Sequence, residues 1–287
     1  MERMTHATLD LVLQAPAIDA TDLGAIAVLA GAQGIHVLAG TSPQAFRLTR
    51  VRPHGGVADL CQSLGIDMAL VSSDLTRNRV RVVAMDMDST LITIECIDEI
   101  ADMIGIKPQV AAITASAMRG EIDFSESLQR RVALLTGLPI AILERVYKER
   151  LELSPGAEKM LAGFKSTGAK TLLVSGGFTF FTDQLRSRLD FDETVANTLE
   201  IADGRLTGRV LPPIVDARTK AEHLALLRER HAIDGGIAIA IGDGANDLPM
   251  LKAADVSIAY RAKPLVRAQA TYAIDHCGLD AILNVFA

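Results

Sequence analysis

The stretch VRVVAMDMDST, Val80 to Thr90, joins a short apolar block to two aspartates one residue apart. Val80, Val82, Val83, Ala84 and Met85 are the β-branched and aliphatic run expected of a strand buried on both faces of a parallel sheet. Asp86 and Asp88 stand at its carboxyl end. Two carboxylates about 4 Å apart repel by about 4 kcal/mol at an effective dielectric near 20. Such a site must protonate one of them or bring in a cation, so the placement has the look of a chemical site.

Further along the chain, other apolar runs end in the same manner. AKTLLV precedes SGGF, IAIAI precedes GDGAND, and VSIAY and TYAI follow, with helical stretches between them. The alternation predicts an α/β fold with a doubly wound parallel sheet, its ligand crevice at the carboxyl ends of the strands. A hairpin is expected over Leu199 to Val210, with Asp203-Gly204 at its turn. Ser175, Gly176 and Gly177 offer a hydroxyl and unobstructed amides to an anion. Asp243, Asn246 and Asp247 follow the next strand, and Lys220 lies near a helix start between the two. Singly these read as a turn, a capping loop and a surface lysine. Together, each after a buried strand, they call for a hard cation with oxygen ligands beside a phosphate.

Between the first strand end and Pro155, residues Ile97 to about Glu152 read as helical, with Pro108 and Pro139 as starts and Gly105, Gly120 and Gly137 as stops. This predicts a small helical cap inserted at about 93–153. Upstream, the pattern is strand (Ala7 to Gln14), helix (Asp19 to Ala32), strands (Ile35 to Leu38, Ala45 to Val51), helix (Gly56 to Leu64) and strand (Asp67 to Val71). That order is the split βαβ or ferredoxin-like motif, giving an α+β domain over 1–75 ahead of a second domain over 76–287. It carries no constellation of reactive groups. Ser72 to Arg79 reads as the linker, and TRNRVRV as a solvated link and strand edge.

With 49% hydrophobic residues the chain is an ordinary globular protein. Apolar runs as short as IAIAI cannot span a bilayer, and the N-terminus lacks a signal-peptide core, so a soluble cytoplasmic protein is expected. Cys61, Cys96 and Cys277 are odd in number and far apart, which indicates neither a disulfide framework nor a zinc site. A formal net charge of −6 argues against a nucleic-acid partner.

DMDST, SGG, Lys220 and GDGANDLPML resemble the four motifs of the haloacid-dehalogenase-like phosphatases. From about Arg81 onward, IECIDEIA and DFSESLQRRVALLTGLP are similar to the cap of the phosphoserine phosphatases in that superfamily. The resemblance implies Mg²⁺-dependent hydrolysis of O-phospho-L-serine through an aspartyl-phosphate, the last step of serine biosynthesis. It implies that Asp86 is the nucleophile and Asp88 the general acid and base. Mg²⁺ would be held by Asp86, the Asp88 carbonyl and Asp243, with Asp247 orienting waters or Lys220 from behind. Ser175, Gly176, Lys220 and Asn246 would hold the phosphate. Glu95 would meet the substrate ammonium and Arg131 its carboxylate, while Met118 and Phe124 close the pocket. Without the resemblance, Arg130 and Arg131 read as one solvated pair, and Met118 and Phe124 as core. The N-terminal segment resembles an ACT-like module only in element order, which implies either an amino-acid effector site or a homodimer contact. Competing readings are a phosphatase for another small phosphomonoester, a phospho-accepting signalling protein, and an amino-acid sensor with the enzyme as its output.

Overall fold

In the computed structural model, residues 9–38, 44–52, 55–232 and 235–287 are described. Ala7 and Thr8, the start of the first expected strand, lie outside them. The N-terminal unit runs β1 (Leu9–Ala15), α1 (Ala20–Leu29), β2 (Gly34–Val37), β3 (Gln44–Thr49), α2 (Val57–Ser63) and β4 (Asp67–Ser72). Its four strands form an antiparallel sheet in the order β2-β3-β1-β4. Alternation along β1 sends Leu11 and Leu13 to the helices, where they pack with Ile26 and Cys61. Val12 points the other way and, with Ala69 and Val71, joins the core of the larger unit. Asp19 caps α1 by accepting from the Thr21 amide at 2.7 Å. The helix stops at Leu29, short of the expected Ala32, because the chain turns at Gly31 with φ +61°.

The larger unit begins with β5 (Val80–Met85) and continues through the cap helices α3 (Cys96–Met103), α4 (Lys107–Met118), α5 (Phe124–Ala133) and α6 (Ala141–Glu149). Then come α7 (Ala157–Lys165), β6 (Lys170–Phe178), α8 (Thr179–Leu189), β7 (Glu193–Ala202), β8 (Arg205–Leu211) and α9 (Ala217–His231). The chain ends with β9 (Ile237–Gly242), α10 (Leu248–Ala253), β10 (Val256–Tyr260), α11 (Pro264–Arg267), β11 (Tyr272–Ile274) and α12 (Ile282–Val285). The sheet order is β11-β10-β9-β5-β6-β7-β8, parallel except for the β7–β8 pair. Strand order reverses beside β5, whose carboxyl end therefore opens on the crevice. The cap is closed at its stem by an antiparallel bridge between Ile92 and Leu153 and by the Thr93 amide donating to the Glu152 carbonyl at 3.0 Å.

One reading needs correction, and two connections carry contacts that their own sequence does not show. TRNRVRV does not lead into a strand edge: β5 lies between β9 and β6, and Val80 and Val82 are fully buried. The linker after β4 packs onto the larger unit: Leu75 is buried and the Arg77 amide donates to the Phe286 carbonyl at 2.8 Å. The expected hairpin forms as the antiparallel β7–β8 pair. β7 pairs with β6 as a sheet strand, and the turn end of β8 bonds the cap, with Gly137 N donating to Leu206 O at 2.8 Å and Leu206 N to Leu138 O at 2.9 Å. The Asp-Gly turn was legible locally, whereas those partners lie far away in sequence.

The two units are joined by polar contacts. The buried Asp67 carboxylate of β4 accepts from three consecutive amides, Asp275 at 2.8 Å, His276 at 3.1 Å and Cys277 at 2.9 Å. Asn284 Nδ2 donates to Gln14 Oε1 at 2.9 Å in the same buried seam. Among the described residues, no helix is long and apolar enough to cross a membrane.

Candidate active site

β5 ends at Met85, and the chain then makes a wide turn in which the Leu91 amide returns to the Asp86 carbonyl and Ile92 to Met87. Ser89 sits in this turn in the left-handed region, φ 57°, a costly conformation for a residue with a Cβ. The turn sets Asp86 and Asp88 over the crevice, where both line a cavity of about 500 Å³ between the sheet and the cap.

Asp86 Oδ1 accepts from the Met87 amide at 2.7 Å, and its Oδ2 lies 2.8 Å from Lys220 Nζ. Lys220 reaches Asp247 Oδ1 at the same distance and is 1% exposed. It therefore lies beneath the cavity rather than on its wall. Asp247 Oδ2 accepts from the Gly244 and Asp243 amides at 3.0 and 3.2 Å, so its oxygens are committed to protein donors. Asp243 Oδ1 accepts from Thr90 Oγ1 at 3.0 Å. Asn246 Nδ2 lies 3.4 Å from Asp86 Oδ2.

On the neighbouring strand end, Ser175 Oγ accepts from the Gly177 amide at 2.8 Å. A Cβ at Gly177 would stand 2.7 Å from Asp88 Oδ2, so a glycine is what lets this loop approach the second aspartate. Asn197, buried in β7, donates to the Gly176 carbonyl at 2.8 Å and accepts from the Val215 amide at 2.8 Å. It fixes the loop from behind.

The electrostatics are those of carboxylates drawn out of water. Burial pushes Asp86 well above the usual carboxylate range, Asp247 adds to this and Lys220 opposes it. Burial and then Glu95 push Asp88 up to about 7. Burial and then Asp247 push Asp243 up to about 6. For Lys220, burial favours the neutral amine, but Asp247 and Asp86 outweigh it and the ammonium is held more firmly than usual. Oxygens of Asp86, Asp243 and Asp247 lie within 4.8 Å of one another. An all-oxygen, acidic cluster in which burial raises the Asp86 and Asp243 carboxyls fits a hard divalent cation.

The cap supplies the opposite wall. Glu95, at the start of α3, accepts from Ser89 Oγ at 2.8 Å, and Cys96 N donates to Asp88 Oδ1 at 3.0 Å. Arg131 faces the cavity and donates through Nε to the Ser127 carbonyl at 3.3 Å. Among the described residues it has no carboxylate within 4.0 Å, whereas Arg130 next to it is held by Glu126 at 2.5 Å on the outer face. Phe124 packs on Gly176, and Met118 lines the rim while 71% exposed. Ten of the twelve residues singled out from sequence line one cavity, and Lys220 and Asp247 support it from below. Sequence reading passed over Ser89, Thr90, Cys96, Asp98, Asn197 and Lys263. The hydroxyls of DMDST stood in the motif and could have been noticed. Asn197 gives no local signal.

The sequence pattern of the family described as haloacid dehalogenase-like hydrolase matches residues 83–252, and a domain of unknown function matches residues 11–57. A phosphoserine phosphatase of Polaromonas sp. is 50% identical over 228 residues, 78% of this chain and 97% of that protein. The crystal structure of a probable phosphoserine phosphatase from Vibrio cholerae, in unliganded form, has a TM-score of 0.82 at 32% identity, covering 98% of this chain and 86% of that one. A phosphoserine phosphatase solved as an analogue of its phospho-aspartyl intermediate has a TM-score of 0.66 at 36% identity, covering 72% of this chain and 99% of that one. Motifs, sheet order and relatives agree: the chain belongs to the haloacid dehalogenase-like hydrolase family, in its phosphoserine phosphatase branch.

Proposed function

We propose that the chain hydrolyses O-phospho-L-serine to L-serine and phosphate, the last step of serine biosynthesis, with Asp86 as nucleophile and Asp88 as general acid and base. One observation carries this reading: the Asp86 and Asp88 pair shares a cavity with Glu95 and with Arg131, a guanidinium that has no carboxylate within 4.0 Å among the described residues. Phosphoserine bears an ammonium and a carboxylate on one carbon, and these two cap charges are opposite to them.

Asp86 attacks phosphorus, the bond from phosphorus to the serine oxygen breaks, and Asp88 gives that oxygen its proton. Water then attacks the aspartyl-phosphate, losing a proton to Asp88, and phosphate leaves with Asp86 restored. An Asp88 carboxyl held near 7 is suited to both transfers at neutral pH. Ser175 and the Gly176 amide offer positive ends to the phosphoryl oxygens, Lys220 adds its charge from beneath the cavity through Asp86, and Asn246 orders the same region. Asp86, the Asp88 carbonyl and Asp243 would hold Mg²⁺, with Asp247 fixing Lys220 and the Asp243 loop. When bound, the ion neutralises charge on the carboxylates and on the phosphoryl group.

The test is phosphate release from a panel containing phosphoserine, phosphothreonine, O-phosphoethanolamine and p-nitrophenyl phosphate, with Mg²⁺ and with chelator. Preference for phosphoserine, lost in chelator, is the expected result. A flat profile across the panel would leave only the broader reading, a phosphatase for small phosphomonoesters.

A further inference from the structure

Lys263 stands outside every role assigned above. It follows β10 and begins the short α11, on the core side of the cavity mouth, and its backbone amide donates to the Asp243 carbonyl at 3.1 Å. The loop that carries it is thus tied to the loop that carries Asp243. Its side chain is exposed and lines the cavity, yet among the described residues it has no carboxylate within 4.0 Å. Arg131 is the other cation on the wall, against Asp86, Asp88, Glu95, Asp98 and Asp243.

The position of Lys263 relative to Glu95 decides its use. Glu95 lines the same cavity, with Lys263 on its core wall and Arg131 on its cap wall, and both cations oppose the burial that raises the Glu95 carboxyl. An ammonium docked on Glu95 carries its carboxylate on the same carbon, only a few ångströms away. The two cations on the cavity wall to meet that carboxylate are Arg131 on the cap and Lys263 on the core. A carboxylate has acceptor sites enough for both, since each oxygen offers two lone pairs. Arg131 supplies a planar fork and Lys263 a point charge on a long, flexible stem.

We propose that Lys263 is a specificity-determining residue: together with Arg131 it grips the substrate α-carboxylate, so that a bound amino acid bridges the core to the cap. The inference rests on the phosphoserine reading. It assigns Lys263 no part in the transfer of the phosphoryl group.

Phosphoserine and O-phosphoethanolamine differ only by the carboxylate, so their ratio isolates this contact. In Lys263→Gln the ratio of kcat/KM for phosphoserine to that for phosphoethanolamine should fall roughly 10-fold, chiefly through KM, as for loss of one charge partner of a bound ligand. Lys263→Arg should recover most of it. Because Arg131 and Lys263 grip one group, the ratio in the double variant Arg131→Ala with Lys263→Gln should depart from the product of the single effects. A ratio equal to the parent's in Lys263→Gln, or a decline confined to kcat, would overturn the proposal. The parent enzyme is the control for the underlying reading: if it does not favour phosphoserine over phosphoethanolamine, the substrate assignment fails whatever Lys263 does. A thermal midpoint for each variant separates a binding effect from a folding one.

Discussion

Lys220 Nζ lies 2.8 Å from Asp86 Oδ2 with both side chains buried. Asp247 holds the same ammonium from the far side at 2.8 Å, so one cation serves two carboxylates in a dry site. Removing one partner of a buried ion pair typically costs about 3–5 kcal/mol, because the remaining charge stays buried. Lys220→Met should therefore lower unfolding stability by about that amount and also abolish turnover. Urea denaturation in saturating Mg²⁺ measures the first. A variant as stable as the parent would show that the Lys220 ammonium does not hold the two carboxylates in the folded state.

The two aspartates of the turn should separate cleanly. Asp86→Asn should remove both turnover and phosphoenzyme, since an amide oxygen is a poor nucleophile. Asp88→Asn should slow turnover by about 10² to 10⁴, the usual worth of a positioned acid or base, and let aspartyl-phosphate accumulate. Acid-quenched mass spectrometry reads the adduct on Asp86. Appreciable activity in Asp86→Asn would rule out the covalent route.

The raised carboxyls fix the sign of a pH effect. Asp243 near 6 and Asp88 near 7 stand above the roughly 3.9 of an unfolded aspartate, so the fold favours their protonated forms. That contribution is complete below about pH 4 and is lost as pH rises through the folded values. Metal-free protein should have a lower thermal midpoint at pH 8 than at pH 5, and Mg²⁺ should raise it more at pH 8. A midpoint in chelator that climbs from pH 5 to pH 8 would contradict this account.

Adjacent arginines in one helix supply their own control. Arg131 faces the cavity, while Arg130 is exposed and bound to Glu126. A desolvated charge without its partner costs about 2–5 kcal/mol, so Arg131→Ala should lower kcat/KM for phosphoserine by roughly 30-fold to several thousand-fold. The loss should be much smaller for p-nitrophenyl phosphate, which has no carboxylate. Arg130→Ala should be mild for both substrates. Equal losses on both substrates in Arg131→Ala would move that residue to the fold or to the phosphate.

Asn197 marks where sequence reading stops. Its side chain bridges the Gly176 carbonyl and the Val215 amide, and Asn197→Ala would leave buried backbone groups unpaired. The cost should be about 1–3 kcal/mol in denaturant unfolding, accompanied by a fall in kcat as the SGG loop loosens. Unchanged stability would mean that water takes its place.

The residues that the core brings to the cavity were legible because they sit within a few positions of a buried strand end. DMDST, SGG and GDGAND each announce a strand, a turn and a polar group in one window. The α/β order followed from alternation, and the cap from its Pro and Gly punctuation. What escaped depends on partners remote in sequence. Lys220 taken alone reads as a surface lysine, and only the packing of α9 beneath β5 and β6 buries it. Arg131 is set apart from Arg130 by a rotation of about 100° around α5, which composition cannot express. The β8 contact with the cap likewise needs two segments some 70 residues apart to meet, as when Arg205 donates to Gly137 O across 68 positions.

The Asp67 seat has a practical consequence for anyone who trims this chain. Three successive amides, Asp275 to Cys277, converge on one carboxylate that belongs to the N-terminal unit. Cutting the chain after Ser72 would leave those donors aimed at solvent and would remove Val12, Ala69 and Val71 from the core they share with Val80 and Ile274. Shortened versions should therefore be made with an acidic side chain grafted nearby, and compared in sulfate and chloride buffers, because an oxyanion lodging among the three amides would mask the damage.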